Sequence, residues 1–248
     1  GLSKNGLLVS NGDEPLLIEG TKDKNLIYTI ETFGLSESND VYPTFIEMNE
    51  SGSEFEINKA KDFRFKLGVL GKHNISNTLA AIAVARKFSL TWDEISSGMQ
   101  NLEMTKMRME LLKNENGITI INDAYNASVT SMKAALLFAS ELKGYNGKFV
   151  VFGDMLQLGD QEIAFHEEIG EEVVNLHFDF LYTFGPLSKF AATSAFEQMD
   201  SSRVKSFEDK NKLIEDLLQQ VRPNDLVLVK ASRGMKLEEF VNALLKKG

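Results

Sequence analysis

Hydrophobic and polar residues alternate in the first part of the chain, which is the pattern of half-buried β-strands. A short apolar run at residues 7–9 ends in the turn-forming residues 10–13, and residues 26–30 form a second strand candidate. Further on, apolar positions alternate with polar ones at 55–57 and again at 63–67. Two such runs joined by a polar turn predict a β-hairpin.

Helical spacing begins after the hairpin. Apolar side chains recur every three to four positions at Ile75, Leu79 and Ile82, and the small residues between them would let a helix pack close to a sheet. A shorter helix is predicted over residues 92–99, with Thr91 as its N-cap.

From about Met109 the pattern changes to short apolar runs that alternate with helical segments. Such alternation predicts an α/β fold with a doubly wound, mostly parallel sheet. We place the domain boundary between residues 105 and 106, which gives domains 1–105 and 106–248. The apolar runs lie at residues 118–121, 149–152, 180–184 and 226–229.

The composition, with 43% hydrophobic and 25% charged residues, is that of an ordinary globular protein. A formal net charge of −9 argues against a partner that is nucleic acid or an anionic membrane, because both need a basic face. There is no cysteine, and the three histidines are far apart, so we expect no metal site. No apolar run is long enough for membrane insertion. We expect a cytoplasmic monomer, and the lack of Met at Gly1 suggests a piece of something longer.

Polar loops follow the predicted strands. In a parallel open sheet, ligands bind beyond the carboxyl ends of the strands. That rule selects the loops at 122–128, 153–155, 185–186 and 230–234. Three of them carry carboxylates, Lys or Arg, which suit a charged ligand. These residue types also form turns and cap helices. For any one loop that structural role is the better interpretation. Three such loops on one rim of the sheet, however, favour a binding site.

Residues 68–74 resemble a phosphate-binding loop but do not form one, because two residues instead of four separate the glycines and His73 follows the lysine. Either this helix start faces an anion or a nucleoside, or Asn74 or Ser76 caps the helix while His73 packs beneath the hairpin. Arg108, at the domain boundary, is either a solvated surface residue or a group that reaches a ligand. His166 lies among carboxylates and is expected at the surface.

Several motifs resemble one family of enzymes. Residues 71–81, GKHNISNTLAA, look like the G-x-H-N-x-x-N-x-L-A-A signature of the Mur ligases, and residues 123–127, DAYNA, look like the D-x-Y-N-A motif of one member. The segment 153–159 with His166 is similar to G-D-M-x-E-L-G…H, and 229–235 is similar to V-K-G-S-R-x-M. Residues 11–15 resemble an N-A-D-D-P turn. The chain departs from the family at Gln157, Ala231 and Ser128-Val129, where Glu, Gly and Asn-Pro are usual.

The resemblance implies that the C-terminal part of a central ATP-binding domain precedes a Rossmann-like C-terminal domain. It implies an ATP-dependent amide ligase that adds D-alanyl-D-alanine to a UDP-MurNAc-tripeptide through an acyl phosphate, with Mg²⁺ as cofactor. The family's ATP loop, magnesium ligands and UDP-sugar domain would lie upstream of Gly1, and the fragment alone would be inactive. The alternatives are a folylpolyglutamate or cyanophycin synthetase type of ligase, and a non-catalytic nucleotide-binding module.

The resemblance also assigns roles by matching position. Arg108 would reach the γ-phosphate and Asp123 the ribose hydroxyls, which makes them the candidate catalytic residues, and both are expected in an exposed polar site. Asn126 would lie on the side of the incoming amine. The nucleotide-binding candidates are His73, Asn74, Asn77, Arg108, Asp123 and Tyr125, and the dipeptide pocket would be shaped by Asp154, Met155, Leu158, Gly159, Lys230, Ser232 and Arg233.

Overall fold

The computed structural model describes residues 2–4, 6–21, 28–49, 51–69, 71–100 and 106–247. These residues form two compact units, Gly1–Glu103 and Met104–Gly248. None of the described helices is long and apolar enough to cross a membrane.

The first unit contains a parallel strand pair, a three-stranded antiparallel sheet and three helices. Its core joins the antiparallel sheet to the long helix. The elements are β1 (Leu7–Asn11), α1 (Pro15–Gly20), β2 (Thr29–Phe33), β3 (Pro43–Asn49), β4 (Gly52–Ile57), β5 (Ala60–Leu67), α2 (Lys72–Lys87) and α3 (Trp92–Gln100).

The predicted hairpin and both predicted helices are confirmed. Phe55 of β4 lies opposite Phe65 of β5, and their rings stack with centroids 5.5 Å apart. Thr91 caps α3, because its Oγ1 accepts the Glu94 N–H at 3.3 Å and the Glu94 carboxylate accepts the Thr91 N–H at 2.7 Å. Strand β2 begins at Thr29, later than predicted, and residues 26 and 27 of the predicted strand lie outside the described residues.

The second unit is a six-stranded sheet in the order β10-β9-β8-β11-β7-β6, parallel except for β6, which runs antiparallel to β7. The predicted α/β class with a mostly parallel sheet is confirmed. Its elements are β6 (Glu110–Lys113), β7 (Thr119–Asp123), α4 (Val129–Glu141), β8 (Lys148–Gly153), α5 (Glu162–Asn175), β9 (Phe180–Phe184), α6 (Lys189–Phe196), β10 (Val204–Phe207), α7 (Lys210–Gln220), β11 (Leu226–Lys230) and α8 (Glu238–Leu245).

Helices cover this sheet in two groups. Helices α7 and α8 pack against each other and bury Leu217 and Phe240 on the strand residues Phe149, Val227 and Val229. Helices α4, α5 and α6 form a second group, in which α5 packs against both of its neighbours. The four inner strands, β7, β8, β9 and β11, are therefore mostly buried, which is why each reads as an apolar run.

The crossing of α5 and α6 depends on Gly170. A Cβ at this position would lie 2.2 Å from the carbonyl oxygen of Ala191. No carbon atom tolerates that distance, so the two helices approach closely because residue 170 has no side chain.

We predict that Gly170→Ala destabilises the second unit by about 2 kcal/mol or more, because overpacking outweighs the better helix propensity of alanine. The matched control is Gly98→Ala in α3, where an added Cβ meets nothing within 4 Å. That substitution should stabilise its own unit by up to about 1 kcal/mol. Urea unfolding gives both values, and equal effects of the two substitutions would contradict the close crossing.

Candidate active site

The carboxyl ends of the parallel strands form a rim that carries three charged residues. Asp123 is the last residue of β7, Lys230 is the last residue of β11, and Asp154 follows β8 directly. Strands β7 and β11 are neighbours, and their register pairs Lys230 with Asp123. Two residues that are distant in sequence therefore meet because of the strand order.

Lys230 and Asp123 form a buried ion pair. Lys230 Nζ lies 2.5 Å from Asp123 Oδ2, and the side chains are only 2% and 12% exposed. The same ammonium donates to the carbonyl oxygen of Asn126 at 2.9 Å. Burial lowers the pKa of Lys230, and the negative charge of Asp123 opposes that shift. Removing one partner of such a pair typically costs about 3–5 kcal/mol, since the other charge remains buried.

The second oxygen of Asp123 is also occupied within the chain. Asp123 Oδ1 accepts the Met109 N–H at 3.1 Å, and the residue as a whole is 8% exposed. The expectation that Asp123 lies in an exposed polar site is therefore wrong. The sequence placed it correctly at a strand end but gave no sign of the lysine that neutralises it.

Arg108 and Tyr125 lie together at this part of the rim. Arg108 is exposed, and its guanidinium carbon lies 4.3 Å from the centre of the Tyr125 ring, which is a cation–π contact. The Tyr125 N–H donates to the carbonyl oxygen of Met107 at 3.1 Å. The structure thus brings five predicted site residues together: Arg108, Asp123, Tyr125, Asn126 and Lys230.

Asp154 organises the loop that follows β8. Its Oδ1 accepts the N–H groups of Leu187 and Ser188, at 3.1 and 2.7 Å, just before α6 begins. Its carbonyl oxygen accepts the Ser232 N–H at 3.1 Å. In return, Ser232 Oγ accepts the Leu156 N–H at 2.9 Å, so the loops after β8 and β11 are joined at two points.

His166 is fully buried, so the expectation of a surface histidine is wrong. Its Nε2 accepts the Met155 N–H at 3.0 Å, and its Nδ1 lies 2.6 Å from the carbonyl oxygen of Glu162. Because a backbone N–H can only donate, these contacts require the neutral tautomer with the proton on Nδ1. The helical spacing held a signal, since the buried Ile169 and Val173 lie three and seven positions further on.

The remaining candidates of this unit differ in exposure. Met155 is fully buried, so it takes part in the rim through its main chain only. Leu158 is half-buried and Gly159, with φ +68°, is exposed. Arg233 is exposed, and its Nη1 lies 2.9 Å from Met107 Sδ and 3.7 Å from the carboxylate of Glu238.

The candidates of the first unit lie on the first two turns of α2. Helix α2 begins at Lys72 after Gly71, whose φ of +92° places it in the left-handed region. The N-cap residue is Gly71, and Asn74 and Ser76 lie within the helix, so the alternative in which one of them is the cap is wrong. Asn77 is exposed, while His73 and Asn74 are half-buried.

Two family models match the chain. The model described as Mur ligase middle domain matches residues 1–85, and the model described as Mur ligase, glutamate ligase domain matches residues 107–233. The chain belongs to the Mur ligase family.

Two relatives of this Mur ligase chain carry the same name. The chain is 40% identical over 246 residues to the UDP-N-acetylmuramoyl-tripeptide–D-alanyl-D-alanine ligase of Bacillus subtilis. This match covers 99% of the chain and 52% of the relative. The enzyme of the same name from Escherichia coli is 30% identical and covers 100% of the chain and 54% of the relative. The Mur ligase chain thus spans about half the length of the curated relatives it matches.

A solved structure agrees with these relatives. The crystal structure of MurF ligase from Thermotoga maritima in complex with ADP is 26% identical to the Mur ligase chain and superposes with a TM-score of 0.81, over 99% of the chain and 54% of that structure. The resemblance found in the sequence motifs is confirmed.

We predict that His166→Asn destabilises the second unit by about 1–3 kcal/mol, because the shorter side chain leaves the Met155 N–H or the Glu162 carbonyl buried without its bond. His177→Asn is the control, since His177 is exposed and its φ of +57° suits asparagine. The control should change the free energy of unfolding by less than about 0.5 kcal/mol. Chemical denaturation measures both, and an equally mild effect at position 166 would contradict a structural role for that imidazole.

Proposed function

We propose that the whole protein that contains this chain is an ATP-dependent amide ligase, which adds D-alanyl-D-alanine to a UDP-MurNAc-tripeptide. The names of both relatives support this reaction, and they favour it over a folylpolyglutamate or cyanophycin synthetase. The ADP in the similar Thermotoga structure supports ATP as the phosphoryl donor. Its nucleotide substrates make the cytoplasm the place where it acts.

The proposed reaction has two steps. An oxygen of the tripeptide carboxylate attacks the γ-phosphorus of ATP, and ADP leaves. The dipeptide amine then attacks the carbon of the acyl phosphate, and the tetrahedral intermediate loses a proton and expels inorganic phosphate. The protein must mainly position the reactants and offset the phosphoryl charge.

The observation that carries the proposal is the exposed Arg108 guanidinium at the strand ends, stacked on Tyr125. A guanidinium has several donors in a fixed plane and suits phosphoryl oxygens. Held in place by the tyrosine ring, it would stabilise charge that develops in the transition state. Tyr125 and Asn126 would line the nucleotide and the incoming amine.

We assign the dipeptide to the loops after β8 and β11. Their main chains are fixed to each other through Asp154, Leu156 and Ser232. The exposed Arg233 would pair with a carboxylate of the dipeptide. Leu158 and Gly159 would shape the same pocket. In the first unit, His73, Asn74 and Asn77 remain the nucleotide-binding candidates.

Magnesium would accompany ATP in such a reaction. Within the part of the chain that the structure describes, no group of three or more His, Cys, Asp or Glu could hold a metal ion.

In the whole protein, Arg108→Ala should lower kcat about 100-fold or more and raise the KM for ATP by less than about 3-fold, because its charge contact forms mainly in the transition state. The measurement is formation of ADP and of the amide product from ATP, UDP-MurNAc-tripeptide and D-alanyl-D-alanine.

Arg203→Ala is the matched control. Arg203 also stands over an aromatic ring, with its guanidinium carbon 5.9 Å from the Phe180 centroid, but it precedes β10 at the opposite end of the sheet. Its removal should leave kcat unchanged. A wild-type protein that forms no amide would refute the proposed reaction, and an unchanged kcat in Arg108→Ala would refute the role of Arg108.

A further inference from the structure

The backbone that presents Arg108 is strained on both sides. Met107 has a φ of +64° and Met109 a φ of +48°, so two non-glycine residues in the left-handed region flank the arginine. Each such residue has a strained backbone and persists only where surrounding contacts enforce it. The conformation of residues 107–109 therefore has to be held from outside.

Hydrogen bonds from neighbouring segments fix the main chain of Met107 and Met109. The Tyr125 N–H donates to the Met107 carbonyl, and the Met109 N–H donates to Asp123 Oδ1, each at 3.1 Å. The Met107 N–H donates to Glu110 Oε2 at 3.2 Å. Asn122 Nδ2 donates to the same Glu110 oxygen at 3.0 Å, so that carboxylate is itself fixed by β7.

Lys230 fixes Asp123, one of the buried members of this set. Its ammonium lies 2.5 Å from Asp123 Oδ2, and it is 2% exposed, so the pair is shielded from water and ions. The same ammonium holds the Asn126 carbonyl, and thereby the loop that carries Tyr125. One buried cation therefore supports both partners of the strained segment: the acceptor for the Met109 N–H and the loop that donates to Met107.

We propose that Asp123 and Lys230 are positioning residues that lock Met107 and Met109 in the left-handed region, so that the Arg108 guanidinium stays on the Tyr125 ring. This rests on the proposed function for its catalytic consequence only. Each carboxylate oxygen of Asp123 accepts a bond within the chain, so Asp123 acts on Arg108 through the Met109 N–H and is itself held by the Lys230 ammonium.

Amide hydrogen exchange, resolved residue by residue by NMR, tests the lock without any activity. In Lys230→Met, the amides of Met109 and Tyr125 should exchange about 10- to 100-fold faster, because the acceptor carboxylate and the loop are no longer held. The matched control is Lys205→Met, which removes the ammonium 2.6 Å from Asp216 between β10 and α7. Both amides should keep their wild-type rates in the control.

Unchanged exchange at Met109 and Tyr125 in a folded Lys230→Met protein would overturn the lock. If that variant does not fold, Asp123→Asn decides instead. It keeps the volume but removes the charge that Lys230 pairs with, so the Met109 amide should again exchange at least about 10-fold faster. Wild-type exchange in Asp123→Asn would overturn the proposal.

Kinetics of the whole protein test the consequence for Arg108. Lys230→Met should lower kcat while leaving the KM for ATP within about 3-fold, and the double variant with Arg108→Ala should be no slower than Arg108→Ala alone, since both act through one group. The positioning role would be overturned if the fold-losses in kcat of the two single variants multiplied in the double variant. A KM for ATP raised more than about 10-fold in Lys230→Met would overturn it as well. If the wild type forms no amide, the proposed function fails and the exchange rates alone decide the lock.

Discussion

The buried contact between Lys230 and Asp123 joins the parts of the rim that the sequence keeps apart. It exists because β11 inserts beside β7 in register, which brings together two residues 107 positions apart in the chain. Neither charge is tolerable alone in such a place, so each makes the other necessary. The strained segment at Arg108 and the loop at Asn126 both depend on this pair.

The second carboxylate of the rim follows the same logic with different partners. Asp154 accepts two N–H groups at the start of α6, and His166 and Ser232 take the next two N–H groups of its loop. Both buried acids of the rim are thus used to shape the backbone. The exposed charged groups beside them are Arg108 and Arg233, which suits phosphate and carboxylate ligands.

Periodicity predicted the elements whose burial is one-sided or complete, such as the β4–β5 hairpin and the apolar strands of the second unit. It missed α1, β3, β6, β10 and α6, because these elements lie at sheet edges or are short and partly exposed, so their patterns are weak. The candidate positions were found from motifs and strand ends. The burial of Asp123 and His166 was not predicted. It depends on partners such as Lys230 and the Met155 N–H, which only the strand order and the loop geometry bring next to these two side chains.

The most direct measurement is a double-mutant cycle on the free energy of unfolding, with Asp123→Ala, Lys230→Met and their combination. Each single change should cost about 3–5 kcal/mol, and the pair should cost at least about 2 kcal/mol less than the sum, because no charge is left buried alone. The exposed pair Lys133–Glu168, at the same 2.5 Å, should show a coupling below about 1 kcal/mol. Additivity at Asp123 and Lys230 within about 0.5 kcal/mol would contradict their place at the centre of the rim.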